Sequence, residues 1–387
     1  MNNQGDEKPS RRQFIKSTAA GTAYFLTPEL THAATSPESA TTETESLQKD
    51  KLFIADSQTH IFWRREGHVN TSERGWWFLN QLDTFYKGAT GSKGSVKDLT
   101  KARYLDLVLR QSETSVALLN CLALKDFYGG KHMLTPEEAV DVRAEFPERV
   151  VVLGSVDPAD GKPALDDLER QVKDFKITGI KLYPGDYNRG GWYADDEKVA
   201  YPLWEKCRQL GVRYVAMHKG LPFSIFNAKY CHPEDVDRAL DDFPDLNFVL
   251  YHSAYPYLDE LTMMAFRLTG RKKNLYVDIG GLLAIMMQAP YELGHTIGKL
   301  LKYLGPDNII WGTDSPITGS PQAYIDFFRN YRIPNELCEQ FGYPQITDED
   351  KRKIFGGNLA RLLGINVEEK MKKLAGDKVS RARELVI

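Results

Sequence analysis

The chain reads as a (β/α)8 barrel with an aromatic-rich insertion after its first strand. Three observations predict this. From Leu52 onward, short β-rich runs alternate with amphipathic stretches of helix length, the pattern of repeated βα units. Those runs number eight. Four of them lead into a side chain that can bind a metal or move a proton: Leu52 to His60, Arg213 to His218, Asn247 to His252, and Asn308 to Asp314. Parallel strands that all carry chemistry at their C-terminal ends are the mark of a barrel enzyme.

The expected strands are 52–58, 114–122, 150–156, 178–183, 213–218, 247–252, 274–279 and 308–312. Helices are expected at 98–111, 135–146, 163–176, 199–210, 232–242, 257–269, 290–304 and 321–330, with a last one from Asp348 to Leu363. Local signals support several of them. Thr135-Pro-Glu-Glu138 offers an N-cap with proline in the first turn, and Gly211 and Gly364 follow their helices as C-terminal stops. The insertion, residues 61–97, reads as a long loop bearing Trp63, Trp76, Trp77, Phe78, Phe85 and Tyr86. On the catalytic face, such aromatics either wall a substrate pocket or form a satellite core under the loop.

The composition is that of a globular protein, 42% hydrophobic and 27% charged with formal net charge −3 over 387 residues. That balance, with no dense basic patch, excludes a nucleic-acid surface. The four cysteines, Cys121, Cys207, Cys231 and Cys338, show neither zinc-finger nor redox spacing and read as buried or half-buried thiols. Ser10-Arg-Arg-Gln-Phe-Ile-Lys16 has the form of a twin-arginine export signal. A weakly apolar stretch and a small-residue site at Thr31-His-Ala33 follow it. The expected organisation is a signal peptide at 1–33, a polar disordered linker at 34–50, the barrel at 51–365 and a charged tail at 366–387. Export by that route makes the translocation machinery a partner and places the mature protein in the periplasm.

Metal chemistry needs imidazoles and carboxylates brought together from separate rigid strands, with one position left for water. His60, His218 and Asp314 supply two nitrogens and a carboxylate from strands one, five and eight, and His252 adds an imidazole from strand six. Any one of these histidines alone is more often structural. Four strand ends in this order favour a metal or acid–base site.

These segments resemble the amidohydrolase superfamily, in its branch similar to aminocarboxymuconate-semialdehyde decarboxylase and the resorcylate-type decarboxylases. The carriers are Asp56-Ser-Gln-Thr-His60, Gly179-Ile-Lys-Leu-Tyr-Pro184, His218, Phe243 to Phe248 leading to His252, Trp311-Gly-Thr-Asp-Ser-Pro316 and Gly357 to Gly364. The resemblance implies one divalent metal, zinc with manganese as the alternative, held by His60, His218 and Asp314. It makes Asp314 also the base that activates water, and His252 the group that polarises substrate or shuttles a proton. Lys181, Tyr183, Lys219 and Trp63 are the expected substrate contacts, and Asp278 is expected to hydrogen-bond a ligand histidine. The departure is Gln58, where relatives carry histidine or glutamate. Its neutral carbonyl is a weak ligand or a group that faces substrate. The expected activity is metal-dependent hydrolysis of a small carbonyl- or carboxylate-containing, aromatic-compatible compound. Decarboxylation or hydration on the same site is the alternative, and a metal-free binding protein built on a retired barrel is a reading of another class. A homodimer is compatible with this fold.

Overall fold

The computed structural model describes residues 52–61, 73–91, 95–122, 124, 133–269 and 274–380. The twin-arginine segment, the linker and Trp63 lie outside the described residues. Eight strands follow in chain order: β1 Ala55–Thr59, β2 Val116–Asn120, β3 Val150–Leu153, β4 Gly179–Leu182, β5 Tyr214–His218, β6 Asn247–Tyr251, β7 Leu275–Asp278 and β8 Ile309–Ile310. β1 to β3 pair in sequence order, as do β4 to β8, and all these pairs are parallel. Two seams close the ring. The Gly154 N–H donates to Gly179 O at 3.0 Å and the Lys181 N–H to Gly154 O at 2.8 Å, joining β3 to β4. Ser57 N–H to Trp311 O at 3.0 Å, Asp314 N–H to Gln58 O at 2.9 Å and His60 N–H to Ser315 O at 2.8 Å join β8 back to β1. The expected barrel is present.

Alternation along each strand divides the core in two. Ala55, Val116, Leu118, Leu153, Tyr214, Ala216, Val249, Tyr251 and Ile310 pack together inside the barrel. Their neighbours Ile54, Ala117, Leu119, Val152, Ile180, Val215, Phe248, Leu250 and Val277 face the helical layer. On β4 this puts Gly179 and Lys181 on the inner face, where a lysine has no water.

The helices match the expectations closely. Thr135 closes a capping box with Glu138 at Pro136–Glu145, and Gly211 terminates Tyr201–Leu210 in a left-handed cap at φ 74. One difference is large. Much of the insertion expected as a loop is an eighteen-residue helix, Glu73–Thr90. Its Phe78, Leu79, Leu82 and Tyr86 recur on one face and are buried, while Trp76 and Trp77 on the other face are about half exposed. The tail is also part of the fold as far as residue 380. Val367–Leu374 is helical, and Asp377 forms an ion pair with the buried Arg149 guanidinium beneath the barrel. No helix among the described residues is long and apolar enough to cross a membrane.

Candidate active site

The C-terminal ends of the strands open into a narrow cavity. Its floor is polar, formed by Gln58, His60, Lys181, His218, His252 and Asp314. Its walls are apolar: Phe78 and Leu82 from the inserted helix, Leu122 and Leu124 beyond β2, Phe223 and Phe226 beyond β5, and Ile317 beyond β8. Both readings of the insertion therefore hold, since the aromatic face is a satellite core whose inner edge is the pocket wall. A smaller cavity lined by Phe85, Leu221, Ile285 and Thr318 also reaches Asp314 and shares Phe223 and Ile317 with the first.

The floor side chains touch one another in series. His60 Nε2 lies 3.3 Å from Asp314 Oδ1. The Gln58 amide donates from Nε2 to that same oxygen at 3.0 Å and lies 3.4 Å from His252 Nε2. His252 Nε2 is in turn 3.3 Å from His218 Nδ1. The outer ring nitrogens are anchored on backbone carbonyls, His252 Nδ1 on Gly280 O at 2.8 Å and His218 Nε2 on Leu221 O at 3.1 Å. Burial holds both imidazoles in the neutral form, pulling His252 down to about 4 and His218 well below its ordinary value.

Two buried aspartates set the backbone that aims these groups. Asp314 and the run His252-Ser253-Ala254 all have positive φ, 62° for Asp314 and 61°, 47° and 53° along the run, conformations that L residues adopt only when held. Asp56 holds the first: it accepts from the backbone N–H groups of Gln58 and Thr313, both at 3.1 Å, and from the Thr313 hydroxyl at 2.5 Å. Asp278 holds the second, accepting from the His252 backbone N–H at 2.7 Å and the Ser57 hydroxyl at 2.9 Å. The contact expected of Asp278 is thus made to the backbone of His252 and not to its ring. Asp56 stands within the Asp-x-Gln-x-His motif, yet only the folded chain reveals what it holds. Burial pushes the Asp56 carboxyl up to about 7 against those hydrogen bonds, and Asp278 rises for the same reason. Gly280 packs directly under the Gln58 amide, where a Cβ would fall 2.0 Å from Gln58 Oε1 and push that side chain aside.

Lys181 and Tyr183 are in the pocket as expected; Lys219 is not. The Lys219 ammonium is fully buried behind β5, paired with Asp235 at 2.6 Å and donating to Tyr230 O at 2.9 Å. It points away from the cavity because it follows His218 on an alternating strand, so the inward imidazole sends the next side chain outward. Gln58 lies in the cavity floor: its amide nitrogen ties Asp314 to His252, while Oε1 faces Gly280 with no hydrogen-bond partner among the described residues. Phe223 and Phe226 were not singled out from the sequence, because an aromatic pair in a loop carries no periodicity to read.

The donor set suits a divalent ion in its chemistry, with imidazole nitrogens and a carboxylate in one pocket. Ligand atoms that share a tetrahedral ion at ~2.1 Å stand roughly 3.4 Å apart. The His60–Asp314 and His218–His252 contacts have that separation. Among the described residues the donors converge as these two pairs, bridged by Gln58, and not as a group of three or more.

The family profile described as Amidohydrolase matches residues 133–365. The protein fluG of Emericella nidulans is 26% identical over 98 residues, which cover 25% of this chain and 11% of that protein's length. Three solved structures share the fold, each over 81–84% of this chain and nearly all of their own. An uncharacterized TIM-barrel protein of Bordetella bronchiseptica has a TM-score of 0.58 at 22% identity over 81% of this chain and 99% of its own. The 5-carboxyvanillate decarboxylase of Novosphingobium aromaticivorans, complexed with manganese and 4-hydroxy-3-methoxy-5-nitrobenzoic acid, has 0.53 at 14% over 81% and 96%. The 4-oxalomesaconate hydratase of Rhodopseudomonas palustris has 0.51 at 16% over 84% and 99%. Proteins of this superfamily usually bind a divalent metal. With 233 of its 387 residues matched by the profile, 133 to 365 inclusive, the chain belongs to the amidohydrolase family.

Proposed function

We propose that the protein is a non-oxidative decarboxylase of a small aromatic carboxylic acid. The observation that carries this reading is the cavity itself, in which an unpaired buried amine and an imidazole–carboxylate floor lie under an apolar, aromatic wall. Such a pocket suits a planar apolar ring with one acidic end, the ring against Phe226 and Tyr183 and the carboxylate over Lys181. The structural neighbours that decarboxylate aromatic acids support this reading over the hydrolytic one expected from the superfamily at large. Hydration is the second reading, favoured by the hydratase among those neighbours.

A divalent metal would supply a Lewis-acid pole for the substrate's oxygens; His60, His218 and Asp314 carry the donor chemistry for it but stand in two separate pairs in this structure. Zinc and manganese both suit this set, and the Gln58 carbonyl is a weak fourth donor if its amide turns over. The chain's own residues do the rest. Lys181 gains an anion to pair with, which favours its charged form. The apolar walls exclude water from the ring. Losing carbon dioxide leaves an electron pair on the ring carbon that must take up one proton. Asp314 and His252, both in reach of Gln58 Nε2, are the groups that would pass a proton from solvent water to that carbon. His252 is neutral near pH 7 and accepts before it gives.

The test is to incubate the metal-reconstituted protein in deuterium oxide with a panel of hydroxylated benzoic acids. Equal amounts of carbon dioxide and phenol, with deuterium at the vacated carbon, are expected. Esters or lactones cleaved while every acid stays intact would overturn the reading. We also propose export through the twin-arginine route, supported by the pattern from Ser10 to Lys16.

A further inference from the structure

The inner face of β4 carries one more chemical feature. Lys181 is fully buried, its Nζ has no hydrogen-bond partner among the described residues, and it lines the cavity. It lies over two ring faces, with the nitrogen 4.4 Å from the Tyr183 centroid and 4.3 Å from that of Tyr251. The charged or titratable groups around it are Asp278 on β7, Asp314 after β8, Cys231 and the two imidazoles, and it forms an ion pair with none of the carboxylates. Two rings compensate a buried ammonium far less than water or a bonded carboxylate does. Burial accordingly draws this amine down to about 7 from the ordinary 10.5, despite the attraction of Asp278 and Asp314. An amine whose charge is disfavoured by burial, and which is unbonded and faces a cavity with apolar walls, is a nucleophile.

We propose that Lys181 is a carbonyl-capturing amine, forming an imine through Nζ with small aldehydes or ketones that enter the cavity. The Nζ lone pair attacks the carbonyl carbon, the carbon–oxygen π bond breaks onto oxygen, and a proton moves from nitrogen to oxygen to give the carbinolamine. Loss of that hydroxyl with the remaining amine proton, as one water, leaves the carbon–nitrogen double bond. No oxidant or reductant is consumed. The capture does not depend on the decarboxylase reading, and its test separates the two.

Folded wild-type protein near neutral pH is treated with benzaldehyde and sodium cyanoborohydride, which delivers hydride to the imine carbon and fixes the adduct, and its peptides are mapped by mass. The benzyl group is expected on Lys181 at least about tenfold faster than on exposed lysines, because each unit of lowered pKa raises the neutral fraction about tenfold. Lys162 and Lys173, 80% and 66% exposed, serve as internal references. Added benzoate is expected to slow the reaction at Lys181 alone, as an anion beside Nζ recharges the amine. If benzoate has no effect, the capture stands and the carboxylate pairing in the decarboxylase reading falls. Adducts on Lys162 and Lys173 with none on Lys181 until the protein is unfolded would overturn the capture and leave decarboxylation to be judged by its own assay.

Discussion

Asp314 combines three demands in one residue: a left-handed backbone, a carboxylate in contact with His60, and an oxygen that accepts from Gln58. Asparagine is the substitution that separates them, since it tolerates positive φ almost as well and keeps the shape while losing charge and basicity. Asp314→Asn is therefore expected to fold with an unchanged circular dichroism spectrum and to release no carbon dioxide above background. Gln58 is the second informative residue. An imidazole there would replace an amide that now bridges Asp314 and His252 and would add a nitrogen donor. Gln58→His should tighten zinc binding by at least ~10-fold, the effect of neighbouring-group changes alone, as read by competitive chelator titration. Unchanged affinity would mean that position 58 does not face the ion.

At the level of elements, the cavity owes its shape to segments that alternate poorly and pack well. The helix Glu73–Thr90 is fastened to the loop after β5 at Ser224, whose N–H donates to Gln81 Oε1 at 3.1 Å while its carbonyl accepts from Arg74 at 3.0 Å. Phe78 and Phe85 then pack against Phe223, with centroids 6.0 and 5.6 Å apart. Behind that loop, Asp235 binds both the Lys219 ammonium and the Ala194 N–H, stapling two catalytic-face loops to β5. Removing only the lysine strands a buried carboxylate. Lys219→Met is expected to destabilise the protein by about 3–5 kcal/mol in urea unfolding, and Lys219→Met with Asp235→Leu by clearly less. Equal losses for the single and double variants would show that the pair is not coupled.

For the whole molecule, Lys181 makes stability depend on pH. Its folded value is about 7 and its ordinary value 10.5, so between these the unfolded chain holds the proton that the folded chain has released. Stability from this group therefore rises as pH climbs from 7 and levels off near 10.5. Lys181→Met removes the dependence, so the variant's advantage over wild type should be largest at and below pH 7 and shrink toward pH 10 in metal-free urea titrations. A constant difference across that range would contradict the lowered value. The proposed export is likewise to be tested on the full chain. Replacing both Arg11 and Arg12 with lysine is expected to leave the protein in the cytoplasm by cell fractionation, whereas normal periplasmic recovery would refute the twin-arginine assignment.

What the sequence by itself determined follows from local rules. Period-two runs ending in His60, His218, His252 and Asp314 specify strands and the end at which chemistry collects, and caps such as Thr135 and Gly211 specify where helices start and stop. Lys181 was singled out through the family resemblance, and the strand alternation places it on the inner face. Only tertiary structure decided the rest. It turned Lys219 away from the site, made Gln58 a bridge, gave Asp56 and Asp278 their hold on left-handed backbone, and folded the aromatic insertion into a helix over the cavity. Each of these depends on partners 16 to 257 positions away in the chain, and no local periodicity encodes which distant carboxylate or ring a side chain will meet.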